Sequence, residues 1–387
     1  MDMPTRAIPG RNGASTAAPG FLPGDSLFAS QGGIFHGRGC LLHAQPRGDV
    51  GRHAAGLLAE AAATQAAPVL LGLLPYDPAQ PAQLRVPEKW IRTQAPQDLP
   101  IASMPAILRT REHPTGARYE EGVREALARL DAEPALRKLV LARTLQLDLS
   151  RAVDLPRLID RLWQRNPHGY TYAMPLDADG AYFVGASPEL LVRRRGRQVY
   201  VHPLAGTAAR HPDAEADARN GQALLESPKD LREHAVVVEA IDAALRPLCR
   251  ALDVPARPGL TSTARLWHLG TPITGELADP DISALDLAIA LHPTPAVCGL
   301  PAADARRAIA DIEPFERGYF AGAVGWCDAR GDGVWSVAIR CARMAGSAMT
   351  LYAGAGIVPG SVPEQERVET GNKLRTILDA LGLETAP

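Results

Sequence analysis

Between Lys138 and Leu149 the chain alternates so regularly that only an extended strand accommodates it. Leu139, Leu141, Leu145, Leu147 and Leu149 fall on one side, interrupted only by Arg143. Lys138, Val140, Ala142, Thr144, Gln146 and Asp148 fall on the other. This predicts a strand with one face in an apolar core and Lys138 on the opposite face.

Short strands punctuated by turn residues surround it. Residues 181–206 read as a hairpin: a strand over Ala181–Ala186, a break at Ser187-Pro188, and strands at 190–194 and 198–202 about a turn at Gly196-Arg197. Residues 319–356 read as an antiparallel meander with strands at 319–327, 334–343 and 349–356. Helical spacing predicts helices at 50–64, 155–165, 230–247, 303–312 and 363–382, and Tyr119, Val123, Leu127 and Leu130 share it. Hairpins in runs with helices between them give an α+β class. Proline crowds 75–115, a surface connection that need not divide domains. Residues 1–25, rich in Pro, Gly, Ala and Thr, read as a disordered leader without signal-peptide character. The expectation is one catalytic domain over 26–387.

The last helix carries the densest chemistry. Leu374, Ile377, Leu378 and Leu381 form its buried stripe, Ser361 is placed to cap it, and Glu366, Glu369 and Lys373 share a neighbouring face. By spacing alone that face reads as an ordinary solvated one with an ion pair. Glu233 heads an apolar stripe with Val236, Val237, Ala240 and Ala244, on a helix apolar on a second side as well. A carboxylate buried there needs an arginine or a hard metal ion, and a few carboxylates with waters suit Mg2+. Gly354-Ala355-Gly356 either bends a strand or opens its backbone to an anion, and Arg340, inside an apolar run, calls for an anionic partner. Glu189, after Pro188 in an apolar strand, either has a raised pKa or pairs with one of Arg193 to Arg195.

Other classes lack their marks. His202, His234, His268 and His292 show no tight zinc spacing, so structural or hydrogen-bonding roles are expected. The patterns of serine hydrolases, P-loop ATPases and dinucleotide enzymes are missing. Five cysteines without a CxxC pair read as reduced thiols in a cytoplasmic protein. A net charge of -2 predicts no attraction to nucleic acid or anionic membrane, and no apolar run spans a bilayer. An anionic ligand must therefore be held by local positive groups.

Five ordered blocks resemble the chorismate-utilising enzymes. They are Lys138-Leu-Val-Leu-Ala-Arg143, Gly185-Ala-Ser-Pro-Glu-Leu-Leu191, Pro203-Leu-Ala-Gly-Thr207, Pro228-Lys-Asp-Leu-Arg-Glu-His234 and the tail from Leu291 to Leu383. Within the tail, Leu291-His-Pro-Thr-Pro-Ala-Val-Cys-Gly299, Ala353-Gly-Ala-Gly-Ile-Val-Pro359 and Glu369-Thr-Gly-Asn-Lys373 resemble signatures of the isochorismate synthases. The resemblance implies two central, largely antiparallel sheets flanked by outer helices, and a Mg2+ cofactor. It implies Lys138 as the base that activates water and Glu189 as general acid. Glu233 and Glu369 match metal ligands, and Glu366 stands behind them. Gly206, Thr207, Arg340, Gly354 and Lys373 match contacts to chorismate, with the backbone of Ala355 and Gly356 beside them. His292 and Ala296 belong to the outer wall.

The implied reaction is attack of water at C2 of chorismate with loss of the C4 hydroxyl, giving isochorismate, in a siderophore pathway. Lys138 disfavours the aminating members of the family, which generally lack it. A salicylate synthase, which goes on to expel pyruvate, shares the same base, acid and metal residues. Against it stand Ala296 and Phe320, where the lyase relatives tend to carry a hydroxyl residue and a tyrosine. A non-catalytic chorismate-binding protein is the reading from another class, and no catalytic position is missing to support it. The resemblance also implies a monomer.

Overall fold

A computed structural model describes residues 20–93, 104–176, 180–263 and 265–382. The leader expected at 1–25 lies mostly outside the described residues. Its last part is described and ends on the buried Asp25, whose carboxylate meets His36 Nε2 at 2.8 Å.

Two large sheets dominate. Among the described residues one has ten strands, with Lys138–Leu149 and Ala348–Ile357 side by side near one edge. The other has nine, with Leu190–Arg195, Gly333–Val337 and Ala323–Asp328 at its centre. A third, three-stranded sheet joins Leu204–Ala209, Leu266–Gly270 and Gly259–Ser262. The pairings are antiparallel. This is the α+β architecture that the resemblance implied.

The ten-stranded sheet is covered on both faces. Phe28, Tyr172 and Phe183 join Leu71, Leu73 and Trp335 of the other sheet in one core. Leu158, Leu162, Leu374 and Ile377 of the helices Leu155–Arg165 and Pro363–Ala380 form a second core. The strand Lys138–Leu149 spans both: Leu139 and Leu141 belong to the first, and Leu145, Leu147 and Leu149 to the second. Lys138 lies on the face opposite the leucines, as expected, and that face is covered too: Lys138, Val140 and Ala142 are buried. Arg143, the break in the leucine pattern, donates to Thr370 Oγ1 at 2.8 Å and to Glu112 Oε1 at 2.7 Å, tying this strand to the last helix.

Two runs read as continuous in sequence are divided between the sheets. Tyr182–Ser187 lies in the ten-stranded sheet and Leu190–Arg195 in the nine-stranded one. Gly333–Val337 lies in the nine-stranded sheet and Cys341–Ala345 in the ten-stranded one. The hairpin expected over 181–206 holds for Leu190–Arg195 with Gln198–His202 but not for Tyr182–Ser187, and the strand expected at 334–343 is two strands in different sheets. Pro188 cannot donate to a ladder, and Arg340 takes φ 53, so neither position continues its strand. The crossings brace each other. Val337 N–H donates to Glu189 O at 3.1 Å, and Ala186 N–H donates to Arg340 O at 3.0 Å.

Candidate active site

Glu189 and Arg340 occupy these two crossings, and both face a cavity of about 680 Å3, its mouth included. The glycine strand Ala348–Ile357 supplies another wall. Its register sets Gly354 opposite Ala142 and Gly356 opposite Val140, on the face that carries Lys138. A Cβ at Gly356 would lie 2.1 Å from Glu233 Oε1, so only glycine leaves room for that carboxylate. Ala355 falls between them, on the face of Leu141, and is fully buried outside the lining. Its side chain therefore points away from the cavity, and the contact expected of it is one of backbone alone. Arg340 leaves its strand and does not sit on it, contrary to the sequence reading.

The two residues expected to act as base and acid, Lys138 and Glu189, come from different elements. Lys138, at the start of its strand, is fully buried; its Nζ lies 3.0 Å from Glu233 Oε1, which lines the cavity. Burial pushes the Glu189 carboxyl up to about 7, against a hydrogen bond from Leu204 N–H and the charges of Lys138, Lys373 and Arg340. It is not paired with Arg193, Arg194 or Arg195: Arg194 donates to Arg330 O and Pro280 O and meets Asp332 instead.

Three glutamates gather at one end. Glu233 comes from the helix Pro228–Leu245, and Glu366 and Glu369 come from the last helix. Each has its own ammonium: Lys138 for Glu233, Lys229 at 2.9 Å for Glu366, and Lys373 at 2.6 Å for Glu369. Burial alone would raise Glu233, but Lys138, Lys229 and Lys373 hold it below the usual carboxylate range. Burial and the neighbouring Glu369 raise Glu366. Burial opposes charge on Lys229 too, yet Glu366 and Glu233 raise its pKa. Like charges this close call for cations.

The donors suit a hard ion. Glu233 and Glu369 line the cavity and Glu366 is buried behind them, all offering carboxylate oxygens. Among the described residues no three acidic, His or Cys side chains close into an all-protein cage. Mg2+ needs none, since it is held by one or two carboxylates plus water and ligand oxygens. Ser361 does not cap the last helix; Val362 holds that position, and Ser361 Oγ accepts from Val358 N–H.

Cations and small residues line the same cavity. Burial brings Arg340 down to about 10 despite Glu369 and Glu189 nearby. Lys373 donates to Gly354 O at 2.8 Å. Gly206, at φ 75, and Thr207 line the cavity from the small sheet. So does His268, which sequence reasoning left with a structural role. Its Nδ1 lies 3.4 Å from Thr207 Oγ1, and its pKa is driven well down by burial, Arg340 and Lys373. No motif marks it, but it sits in the middle of a buried strand pattern, Leu266–Gly270.

The remaining wall is apolar. Ala296 and Phe320 line it, and Phe320 stacks on Tyr352 with centroids 5.2 Å apart. Arg317 holds this wall from behind. It donates to Val140 O at 2.6 Å, Val297 O at 2.7 Å and Glu313 Oε2 at 2.8 Å. His292 stands outside the lining, its Nε2 2.8 Å from Pro75 O.

Comparison with known proteins decides the family. A family model described as chorismate binding enzyme matches residues 78–382. The chain belongs to the chorismate-binding enzymes.

Within that family its relatives are isochorismate synthases. It is 46% identical to isochorismate synthase DhbC of Bacillus subtilis, over 83% of this chain and 82% of that one. It is 43% identical to isochorismate synthase EntC of Escherichia coli, over 82% of each. Among solved structures, DhbC from Bacillus anthracis superposes with a TM-score of 0.89 at 41% identity, covering 94% of this chain and 98% of that one. Anthranilate synthase component I of Streptococcus pneumoniae, at 20% identity, shares the fold with a TM-score of 0.71 over 96% and 95% of the two chains.

Proposed function

We propose that this enzyme is a Mg2+-dependent isochorismate synthase that adds water at C2 of chorismate and expels the C4 hydroxyl. The observation that carries the reading is one buried cavity in which Lys138 is paired with the lining Glu233 while a carboxyl held near pKa 7 faces in from a separate crossing. An acid and a base brought from different strands can act on different atoms of one ring.

Chorismate carries two carboxylates. Arg340, Lys373 and the backbone about Gly354 and Gly356 would grip one at the enolpyruvyl side. Glu233 and Glu369 would hold Mg2+, with Glu366 behind them. When bound, Mg2+ supplies positive charge against the ring carboxylate. Lys138, once neutral, takes a proton from the water whose oxygen bonds to C2. The ring double bonds shift, the C4–O bond breaks, and Glu189 gives its proton to the departing hydroxyl, which leaves as water. Atoms and charge balance, since one water enters and one leaves. Burial of Glu189 keeps a proton available near neutrality.

Siderophore biosynthesis is the pathway we infer, because DhbC, EntC and the vibriobactin-specific isochorismate synthase of Vibrio cholerae are among the relatives. Incubation with chorismate, Mg2+ and ammonium tests the nucleophile. Isochorismate is expected, and an aminated product would overturn the assignment.

A further inference from the structure

The face of the last helix that lines the catalytic cavity continues beyond it. Glu369 and Lys373 line that cavity, and Thr376 and Asp379, next along the same face, line a second one. The second cavity, about 500 Å3 with its mouth, shares Pro188 and Arg340 with the first. Arg165 and Arg265 stand in its wall.

Its charge is one-sided. Asp379 is the acid in that lining, and it is already engaged by Arg265 at 2.5 Å and Arg375 at 2.7 Å. Arg165 is exposed and, among the described residues, has no ionic partner. The chain beside it is anchored, because the next residue, Asn166, donates to Ser187 O at 3.3 Å, just before Pro188. An arginine in the last turn of a helix complements the helix dipole. That accounts for a cation at 165, but not for three guanidinium groups around one cavity with Arg340 at its inner end.

We propose that this second cavity is the vestibule through which a small cyclic dicarboxylate enters, met by Arg165 and Arg265 before Arg340 binds it. The inference rests on the chorismate reading above. The chain carries a net charge of -2, so its overall field does not draw in a dianion. A local positive cleft does, and it raises the encounter rate in a salt-dependent way.

The test compares wild type with Arg165→Gln and Arg165→Glu, measuring kcat and kcat/KM for chorismate at low and high ionic strength. Arg52→Glu, on the helix Val50–Ala61, changes net charge equally and serves as control. At low ionic strength Arg165→Glu should lower kcat/KM by roughly tenfold, with Arg165→Gln intermediate. In both, kcat should stay within about twofold, since steering acts before chemistry. The deficit should shrink at high salt, and Arg52→Glu should match wild type. An Arg165→Glu profile that coincides with an active wild type overturns the vestibule alone, as does a salt-independent loss or an equal loss in Arg52→Glu. A wild type without turnover overturns the chorismate reading and the vestibule with it.

Discussion

The Nζ of Lys138 lies 3.0 Å from Glu233 Oε1, and both side chains are buried. The residue assigned as base is thus paired with a residue assigned to the metal. An ammonium cannot accept a proton, so Lys138 can act only after its hold on Glu233 is loosened. A cation that competes for Glu233 works in that direction. Lys138→Ala should lower isochorismate formation by about 10²–10⁴-fold, the usual worth of a positioned base. Its affinity for Mg2+, read by calorimetry, should be no weaker than that of wild type, because Glu233 has lost a competitor. Retained turnover, or a weakened metal affinity, would count against the pairing of roles.

Glu233→Gln and Glu369→Gln should each remove activity while circular dichroism shows the fold intact. Added Mg2+ should rescue them partly at best, since one ligand charge has gone. Wild type should lose activity in EDTA and regain it with Mg2+. Full activity of either variant, or of the wild type in EDTA, would refute the metal assignment.

As the proposed general acid, Glu189 should set an alkaline limb. As an acid it must be protonated, and its pKa is pushed up to about 7, so kcat/KM should fall as pH rises through about 7. The same shift has a stability sign. The folded pKa lies above the unfolded value, so the native state binds the extra proton between the two. Stability is then unaffected by this group below the unfolded pKa and declines as pH rises toward about 7. Glu189→Gln removes that cost. The melting temperature of the variant relative to wild type should therefore climb between about pH 5 and pH 8. A constant difference would show that Glu189 does not titrate there.

Much of this was legible in the residues. Lys138–Leu149 and the helices at 155–165 and 363–380 were marked by period and by breakers at their ends. Alternation does not say which sheet a strand joins, however. Pro188 and the charge of Arg340 in an apolar run marked the crossings, but both were read as local breaks or buried charges. The helix Ala284–Leu291 is apolar except for Asp286, and the leucines of Ala214–Glu226 are adjacent at its end, so neither shows a helical stripe. His268 reaches the cavity only because a small third sheet folds over it, a long-range pairing that spacing does not reveal.

The apolar wall bears on the product. Ala296 and the stacked Phe320 offer no hydroxyl to an enolpyruvyl arm folding over C2. Ala296→Thr with Phe320→Tyr should raise the share of turnover that ends in salicylate and pyruvate above that of wild type, measured as the ratio of pyruvate to chorismate consumed. An unchanged ratio would show that the wall does not govern the branch.

An isochorismate synthase forms isochorismate and releases it. The direct measurement is chromatography of a long incubation of the wild-type protein with chorismate and Mg2+ near neutral pH. Isochorismate should rise to a plateau with chorismate remaining, and the same mixture should be reached from isochorismate. Salicylate and pyruvate appearing at the rate of chorismate loss would contradict it.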